Sequence, residues 1–309
     1  MQKKCIEGDR RMALEVLKND RLEEFVDYCR RHRREVDDSF LYEEDLQEFE
    51  PSAENPTYIF SNHKGRIIAA ASLILDDYNR RGKKSRIRIF HSEVNDVSIY
   101  EKLLQALLQH SEGLEKIFLF VPKANRILSE YIVKLNFQAE RYAYILLREN
   151  QEVPKSILPK GYWIRAFRPG IDERIWCEVR NAGFAKLQGS ETPITPEMVT
   201  KWVSGEGYME GGMMILFHKD KAIGVIMCEK DEYQDGPALL IGALAIIPEY
   251  QGKGLGRILL RVALQFAKVN SYNRTILSVN AENERAISLY LQEGFEEAEA
   301  YTCYKYELR

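Results

Sequence analysis

The residues with the clearest chemical capacity lie in the run Leu244-Ala245-Ile246-Ile247-Pro248-Glu249-Tyr250-Gln251-Gly252-Lys253-Gly254-Leu255-Gly256-Arg257. An apolar strand stops at a proline. Glycines follow, and they open a helix whose apolar face is Leu259, Val262, Ala263, Phe266 and Ala267. Glycines at a helix N-terminus let backbone N–H groups approach an anion closely, and the helix dipole adds positive potential at the same point. That chemistry suits a pyrophosphate, with Lys253 and Arg257 able to add charge at the same corner. The plainer alternative is a tight strand-to-helix turn that binds nothing. A Rossmann dinucleotide turn needs G-x-G-x-x-G, but after Gly252 and Gly254 the third position is Arg257. A phosphate-binding P-loop needs Gly-Lys followed by Ser or Thr, and here Gly254 follows Lys253.

A second informative stretch runs from Leu277 to Phe295. Ala286, Leu289 and Tyr290 stand at i, i+3 and i+4, so they share one helix face turned toward a sheet. Asn283 opens that helix and suits an N-cap. On these residues alone Tyr290 could be a packed core aromatic. Taken together, the two stretches resemble the motifs of the GNAT acetyltransferases. The pattern Q/R-x-x-G-x-G/A falls on Gln251, Gly254 and Gly256. The pattern N-x-x-A-x-x-L-Y-x-x-x-G-F falls on Asn283, Ala286, Leu289, Tyr290, Gly294 and Phe295.

The resemblance implies an acetyl-CoA-dependent N-acetyltransferase acting on a primary amine of a small molecule or peptide. Acyl-CoA would lie where the strand ending near Ile247 splays from the strand ending near Asn280. Backbone groups of Leu244, Ala245 and Ile246 would hold the pantetheine and polarise the thioester carbonyl. The turn Gln251, Gly252, Lys253, Gly254, Leu255, Gly256 and Arg257 would take the pyrophosphate, and Asn283 would bond to the CoA arm. Tyr290 would be the general acid that protonates the departing thiolate. The general base is not readable. In ribosomal-protein alanine acetyltransferases of this family a glutamate stands where this chain has Ser278. Glu229, just past the Ile223–Met227 strand, is a candidate that could face the acceptor, although a solvated strand end is the plainer account and an ordered water could serve. Cys228 and Cys303 have no histidine near them in sequence and read as small packing residues.

The elements that must position these residues recur along the chain. Residues from about Arg10 to Arg34 read as one or two amphipathic helices. Thr57–Phe60 and Arg66–Leu73 read as a hairpin turned at His63-Lys64-Gly65. A strand at 86–90, a helix through Leu103, Leu104, Leu107 and Leu108, a strand at 117–121, a helix at about 124–135 and a strand at 142–147 follow. Pro154, Pro159 and Gly161 mark a linker. The same order then returns: helices after Pro169-Gly170 and at Thr195-Pro196-Glu197, a hairpin at 214–227, the strand 238–247, the glycine-opened helix, a strand at 275–279, a helix at 283–292 and a strand at 301–308. The expected class is α/β (α+β): two tandem GNAT folds, each a mixed, mostly antiparallel sheet with a splayed parallel strand pair and flanking helices. Residues 1–150 are expected to form a degenerate domain and 151–309 an active one.

Aligning Phe137 with Phe295 puts Asn125 opposite Asn283 and Ile132 opposite Tyr290, while Asn95, Ser98 and Tyr100 replace Gln251, Gly254 and Gly256. Side chains there would fill the space a pyrophosphate needs, so the front half is expected to serve packing or acceptor binding. The architecture resembles mycothiol synthase-like acetyltransferases. That group typically shows Gly-Phe-His-Trp before the CoA strand, where this chain has Gly224-Val225-Ile226-Met227, and an acid opening the CoA strand, where this chain has Ala238-Leu239-Leu240. The resemblance therefore bears on architecture more than on substrate. Two other functions compete: a non-catalytic acyl-CoA sensor, and a protein-modifying enzyme that docks its target on the front half.

The remaining composition bounds the partners. A net charge of -3 gives no global basic field for nucleic acid. No apolar stretch reaches the roughly 20 residues of a membrane helix, and the charged start Met1-Gln2-Lys3-Lys4 is not expected to be a signal peptide. Five cysteines without CxxC spacing fit free thiols in a reducing cytosol. Five dispersed histidines give no ligand pair on one helix, so no metal is expected. The expected protein is a cytoplasmic monomer or homodimer.

Overall fold

A computed structural model describes residues 12–308, apart from 34, 36–45, 47, 48, 150, 151 and 235. The chain forms two compact units. Unit 1 holds Met1–Tyr142 and Tyr301–Arg309, and unit 2 holds Ala143–Ala300.

Unit 1 begins with β1 (Ala13–Val16) and α1 (Leu22–His32). The first differs from the sequence expectation of helix. Ala13 to Val16 pair antiparallel with Ser61 to Tyr58, so a tertiary partner overrides local helix preference. The unit continues through β2 (Thr57–Ser61), β3 (Ile67–Ile74), α2 (Asp77–Arg81), β4 (Lys84–Ser92), α3 (Val97–Leu108), β5 (Lys116–Pro122), α4 (Arg126–Lys134) and the start of β6 (Gln138–Glu149). β2 and β3 are buried on both faces, whereas β1 is largely exposed. Tyr58 and Phe60 join the core under α3 and α4, whereas Ile59 between them joins the core under α1 with Phe25, Tyr28 and Cys29. That is the period-2 alternation of a strand covered on both sides. β4 and β5 pair in parallel only from Lys84↔Lys116 to Arg86↔Phe118.

Unit 2 repeats the plan. It contains β7 (Tyr162–Ala166), α5 (Glu173–Phe184), α6 (Pro196–Val203), β8 (Tyr208–His218), β9 (Lys221–Tyr233), β10 (Gly236–Ile246), α7 (Leu255–Val269), β11 (Arg274–Asn280), α8 (Glu284–Gln292) and the residues of β12 (Glu296–Glu307) before Tyr301. Its sheet runs β7, β8, β9, β10, β11, β6. All pairs are antiparallel except β10–β11. Thr195 stands at the N-cap of α6 in extended conformation with Pro196 next, but its side chain makes no capping bond.

The strand beyond each splayed pair comes from the opposite half of the sequence. Ala143–Glu149 of β6 pair with β11 in unit 2, and Tyr301–Glu307 of β12 pair with β5 in unit 1. A boundary drawn at residue 150 therefore differs from the units by these two segments. The internal repeat is visible at the helix ends. Asn125 caps α4 by accepting from the Leu128 N–H, and Asn283 caps α8 by accepting from the Ala286 N–H. Both helices end in a left-handed residue, Asn136 at φ 67° and Gly294 at φ 86°, each followed by a buried phenylalanine.

Candidate functional site

In unit 2, β10 and β11 pair only at Leu239↔Thr275 and Leu240↔Ile276. Beyond Leu240 the register of β10 against β9 shifts between Ile241 and Ala243, a bulge that leaves Gly242 unpaired and bends the strand. β10 thus turns away from β11, and the segment to Ile246 lines a gap on its open side. Leu244 is partly exposed there, while Ala245 and Ile246 are buried. Adjacent residues point to opposite faces. A Cβ on Gly183 of α5 would meet the Ala245 Cβ at 2.9 Å, and one on Gly224 would meet the Leu259 side chain of α7 at 3.1 Å. These two glycines let helices close on both faces of the strands that bear the gap.

The turn after β10 has the open geometry its glycines predict. Gly252 and Gly254 both have φ of 75°, and a Cβ on either would meet nothing within 4 Å. Backbone conformation, not crowding, demands glycine there. Gly254 is the N-cap of α7 and no side chain caps that helix. Gly256 differs: it has no positive φ, and its Cβ would make ordinary contact with Leu244 and Leu289 at 3.7 and 3.8 Å. Gln251 braces the turn through a 2.8 Å bond from its Nε2 to the Ile246 carbonyl. The Lys253 ammonium lies over the Tyr250 ring, 4.8 Å from its centroid, and the Tyr250 hydroxyl meets His218 Nδ1 at 3.0 Å. Arg257 does not extend into the turn. Its guanidinium bonds to Gln292 and lies 3.5 Å from the fully buried Glu293 carboxylate, which Arg261 also grips at 2.7 and 2.8 Å. Its charge is spent on locking α7 to α8.

A cavity of about 550 Å³ opens beside this turn. Its walls come from the end of α5 and the residues after it (Gly183, Lys186, Gln188), from Gln251, and from Asn280 and Asn283. Asn280 donates to the Gln188 carbonyl at 2.8 Å and ties two walls together. Asn283 both caps α8 and faces the cavity.

Tyr290 projects from α8 into the interior, edge-on to Phe295 with ring centroids 5.8 Å apart. Burial pushes its phenol up to about 12, so it holds its proton at neutral pH. Among the described residues its hydroxyl has no hydrogen-bond partner. Cys228 and Cys303 are buried and pushed up to about 12 by burial, so neither supplies a thiolate. Cys5 lies outside the described residues.

Glu229 is not a solvated strand end. It sits inside β9, half-buried, as the register partner of Leu240, where the parallel pairing stops. Its carboxylate fills the space above Gly242, where a Cβ would overlap it. Burial, with a smaller push from Asp231, raises it to about 7. In sequence the residue looked like a polar strand end, because neither the length of β9 nor the neighbouring bulge is encoded nearby. The missing side chain at Gly242 was the available signal.

Unit 1 has closed the equivalent places with its own groups. At α3 the Asp96 carboxylate accepts the Ser98 N–H at 2.9 Å and occupies the helix N-terminus. Tyr100, opposite Gly256 in the repeat, is buried, and its hydroxyl accepts the Ser92 N–H at the end of β4 at 3.1 Å. Ile132 is fully buried where the aligned residue is Tyr290.

Comparison with known proteins agrees with this geometry. The family model described as the Acetyltransferase (GNAT) family matches residues 176–295. A mycothiol acetyltransferase of Catenulispora acidiphila is 31% identical over 180 residues, 56% of each chain. One from Renibacterium salmoninarum is 24% identical over 250 residues, 77% of this chain and 72% of its own. The matched segment spans about half the length of the first of these relatives. Among solved structures, a GCN5-related N-acetyltransferase from Sphaerobacter thermophilus superposes with a TM-score of 0.74 at 17% identity, covering 97% of this chain and 96% of its own. A tandem GNAT protein from the clavulanic acid biosynthesis pathway gives 0.70 at 14% identity, covering 96% and 98%. Among the described residues no helix is long and apolar enough to cross a membrane. With both sequence motifs, the splayed strand pair and the family match falling on one unit, residues 176–295 are identified as a domain of the GNAT (GCN5-related N-acetyltransferase) family.

Proposed function

We propose that unit 2 is an acetyl-CoA-dependent N-acetyltransferase that transfers its acyl group directly to a primary amine. The observation that carries this is the bulged β10 splaying from β11 and ending at a glycine-opened, uncapped helix. One end of that gap offers backbone N–H groups to a pyrophosphate, and the other offers β10 backbone to a pantetheine and its thioester.

Tyr290 and Glu229 divide the proton transfers. The amine nitrogen forms a bond to the thioester carbonyl carbon, and backbone N–H groups of the Leu244–Ile246 segment steady the developing oxyanion. Glu229, raised to about 7 and therefore basic enough to accept a proton near neutrality, takes one from the attacking nitrogen, directly or through a water. As the carbon–sulfur bond breaks, Tyr290 gives its proton to the sulfur. The amide and free CoA leave, and a proton passed from Glu229 to Tyr290 through solvent resets the site. Glu229 beside Leu240 also offers a carboxylate next to the strand position where mycothiol synthase-like enzymes carry their acid.

The acceptor is a small-molecule or peptide amine. Because relatives are named mycothiol acetyltransferase, an acceptor of the mycothiol type is worth including in a test, although Gly224-Val225-Ile226-Met227 departs from their usual pattern. The experiment is turnover of acetyl-CoA against a panel of amino sugars, amino acids and peptide N-termini, read as CoA release with the acetylated product identified by mass. Amide formation that requires Tyr290 supports the proposal. Tight acetyl-CoA binding with no amide from any class of amine would favour a sensor instead.

A further inference from the structure

The expectation of no metal rested on histidines dispersed in sequence. Folding brings two of them together in unit 1. His32 ends α1, Glu35 lies three residues on, and His91 stands on β4. The His32 and His91 rings lie 4.4 Å apart between centroids, and ligating atoms of His32, Glu35 and His91 all fall within 4.8 Å of one another. The Glu35 carboxylate spans the two rings. One oxygen is 2.7 Å from His32 Nδ1 and the other 2.8 Å from His91 Nε2.

We propose that His32 Nδ1, His91 Nε2 and the Glu35 carboxylate form a binding site for a divalent transition metal of the zinc type. The far nitrogen of each ring carries the argument. His32 Nε2 meets the Glu93 carboxylate at 3.0 Å, and Glu93 is itself held by Arg31 at 3.0 Å and by Arg66 at 3.0 and 2.6 Å. His91 Nδ1 meets the Tyr28 hydroxyl at 2.5 Å. A ring whose outer N–H is fixed by a carboxylate or hydroxyl presents its other nitrogen as a lone pair in a set direction, the usual second layer of a metal-bound histidine. Two imidazoles and a carboxylate suit zinc, with bond lengths of about 2.0–2.2 Å. At those lengths neighbouring ligand atoms of a tetrahedron stand about 3.3 Å apart, so small side-chain shifts would admit an ion. His91 is buried, whereas the Glu35 side chain is 54% exposed, which leaves a water-accessible side for a fourth ligand.

The position gives the site a structural sense. Asn125, which matches Asn283 in the repeat, donates to the Glu35 carbonyl at 3.3 Å. In unit 2 the end of α5 and Asn283 wall an open cavity. In unit 1 the corresponding helix end and asparagine are joined through Glu35, and a metal there would clasp α1 to β4 where unit 2 keeps a cavity.

The test uses the full chain, treated with chelator and desalted, then titrated with Co²⁺ and competed with Zn²⁺. The expected result is one equivalent bound with the strong visible bands of a four-coordinate site, displaced by Zn²⁺. Glu35→Gln, at the exposed side, and His32→Gln, at the partly buried ring, should abolish the bands while far-ultraviolet dichroism stays unchanged. Glu93→Gln should weaken binding about 10–100-fold by freeing the His32 ring. Absence of saturable one-equivalent uptake would overturn the proposal. So would uptake that survives Glu35→Gln and His32→Gln unchanged.

Discussion

Replacing Glu229 by glutamine should disable the enzyme and stabilise it at the same time. The folded carboxyl is raised from 4.5 to about 7, chiefly because burial penalises its charged form. In the unfolded chain it titrates near its ordinary value. Below about pH 4.5 the group is protonated in both states and has no effect on stability. Between about 4.5 and 7 the unfolded chain releases its proton first, so stability falls as pH rises. Above 7 the deficit is constant. At 1.36 kcal/mol per pH unit, the rise from 4.5 to about 7 corresponds to about 3 kcal/mol. Glu229→Gln removes that cost, less whatever the buried amide leaves unbonded. Urea denaturation should therefore find the variant up to about 3 kcal/mol more stable at pH 8, with no difference near pH 4.5. Acetyl transfer runs the other way. In the parent protein kcat/KM should rise about tenfold per pH unit up to about 7 and then level, because the base must be unprotonated. The glutamine variant should lose that limb and about 10²–10⁴ in rate. Equal stability of the two proteins at pH 8, together with an unchanged pH profile, would refute both the burial argument and the assigned base.

Tyr290→Phe keeps the ring packing on Phe295 and removes only the proton. It should lower kcat by about 10²–10⁴ with the KM for acetyl-CoA nearly unchanged, as steady-state kinetics would read directly. Gly254→Ala and Gly256→Ala should part company. The first forces an L-residue to φ 75° and disturbs backbone donors to the pyrophosphate; losing one such bond, about 1.5–3 kcal/mol, weakens CoA by roughly 10–100-fold in calorimetry. The second adds a methyl at ordinary contact distance from Leu244 and Leu289 and should leave affinity within about twofold, in line with the alanine the motif permits. A fragment of residues 155–309 should fail to form a stable monomer, because it lacks the Ala143–Glu149 strand that pairs with all of β11. A cooperative thermal transition matching the full chain would contradict this.

Much of this site was legible because its signals are local. The glycines 252 and 254, the Asn283 cap and the i, i+3, i+4 face ending at Tyr290 each depend on neighbours within one turn, and the fold keeps them as strand end, turn and helix face. The twofold element order was equally readable, down to Asn136 and Gly294 at matching helix ends. What long-range pairing decides was hidden. β1 is a strand only because β2 is beside it, and the exchange of the last strand of each half leaves no mark in composition. Arg257 looked available to a phosphate until Glu293, thirty-six residues on, was seen to hold it. Glu229 gained its character from a glycine thirteen residues away across a strand pair. The His32–His91 cluster joins residues fifty-nine apart, a distance at which no sequence spacing rule for metal ligands operates.

Unit 2 alone is proposed to hold acetyl-CoA, since in unit 1 Asp96 caps the helix N-terminus and the Tyr100 hydroxyl takes the Ser92 N–H. Isothermal titration of the full chain with acetyl-CoA tests that claim most directly. The expected result is one equivalent per chain, lost in Gly254→Val and unaffected by substitutions at Tyr100. Two equivalents per chain, or one equivalent that a folded Gly254→Val variant still binds with parental affinity, would contradict it.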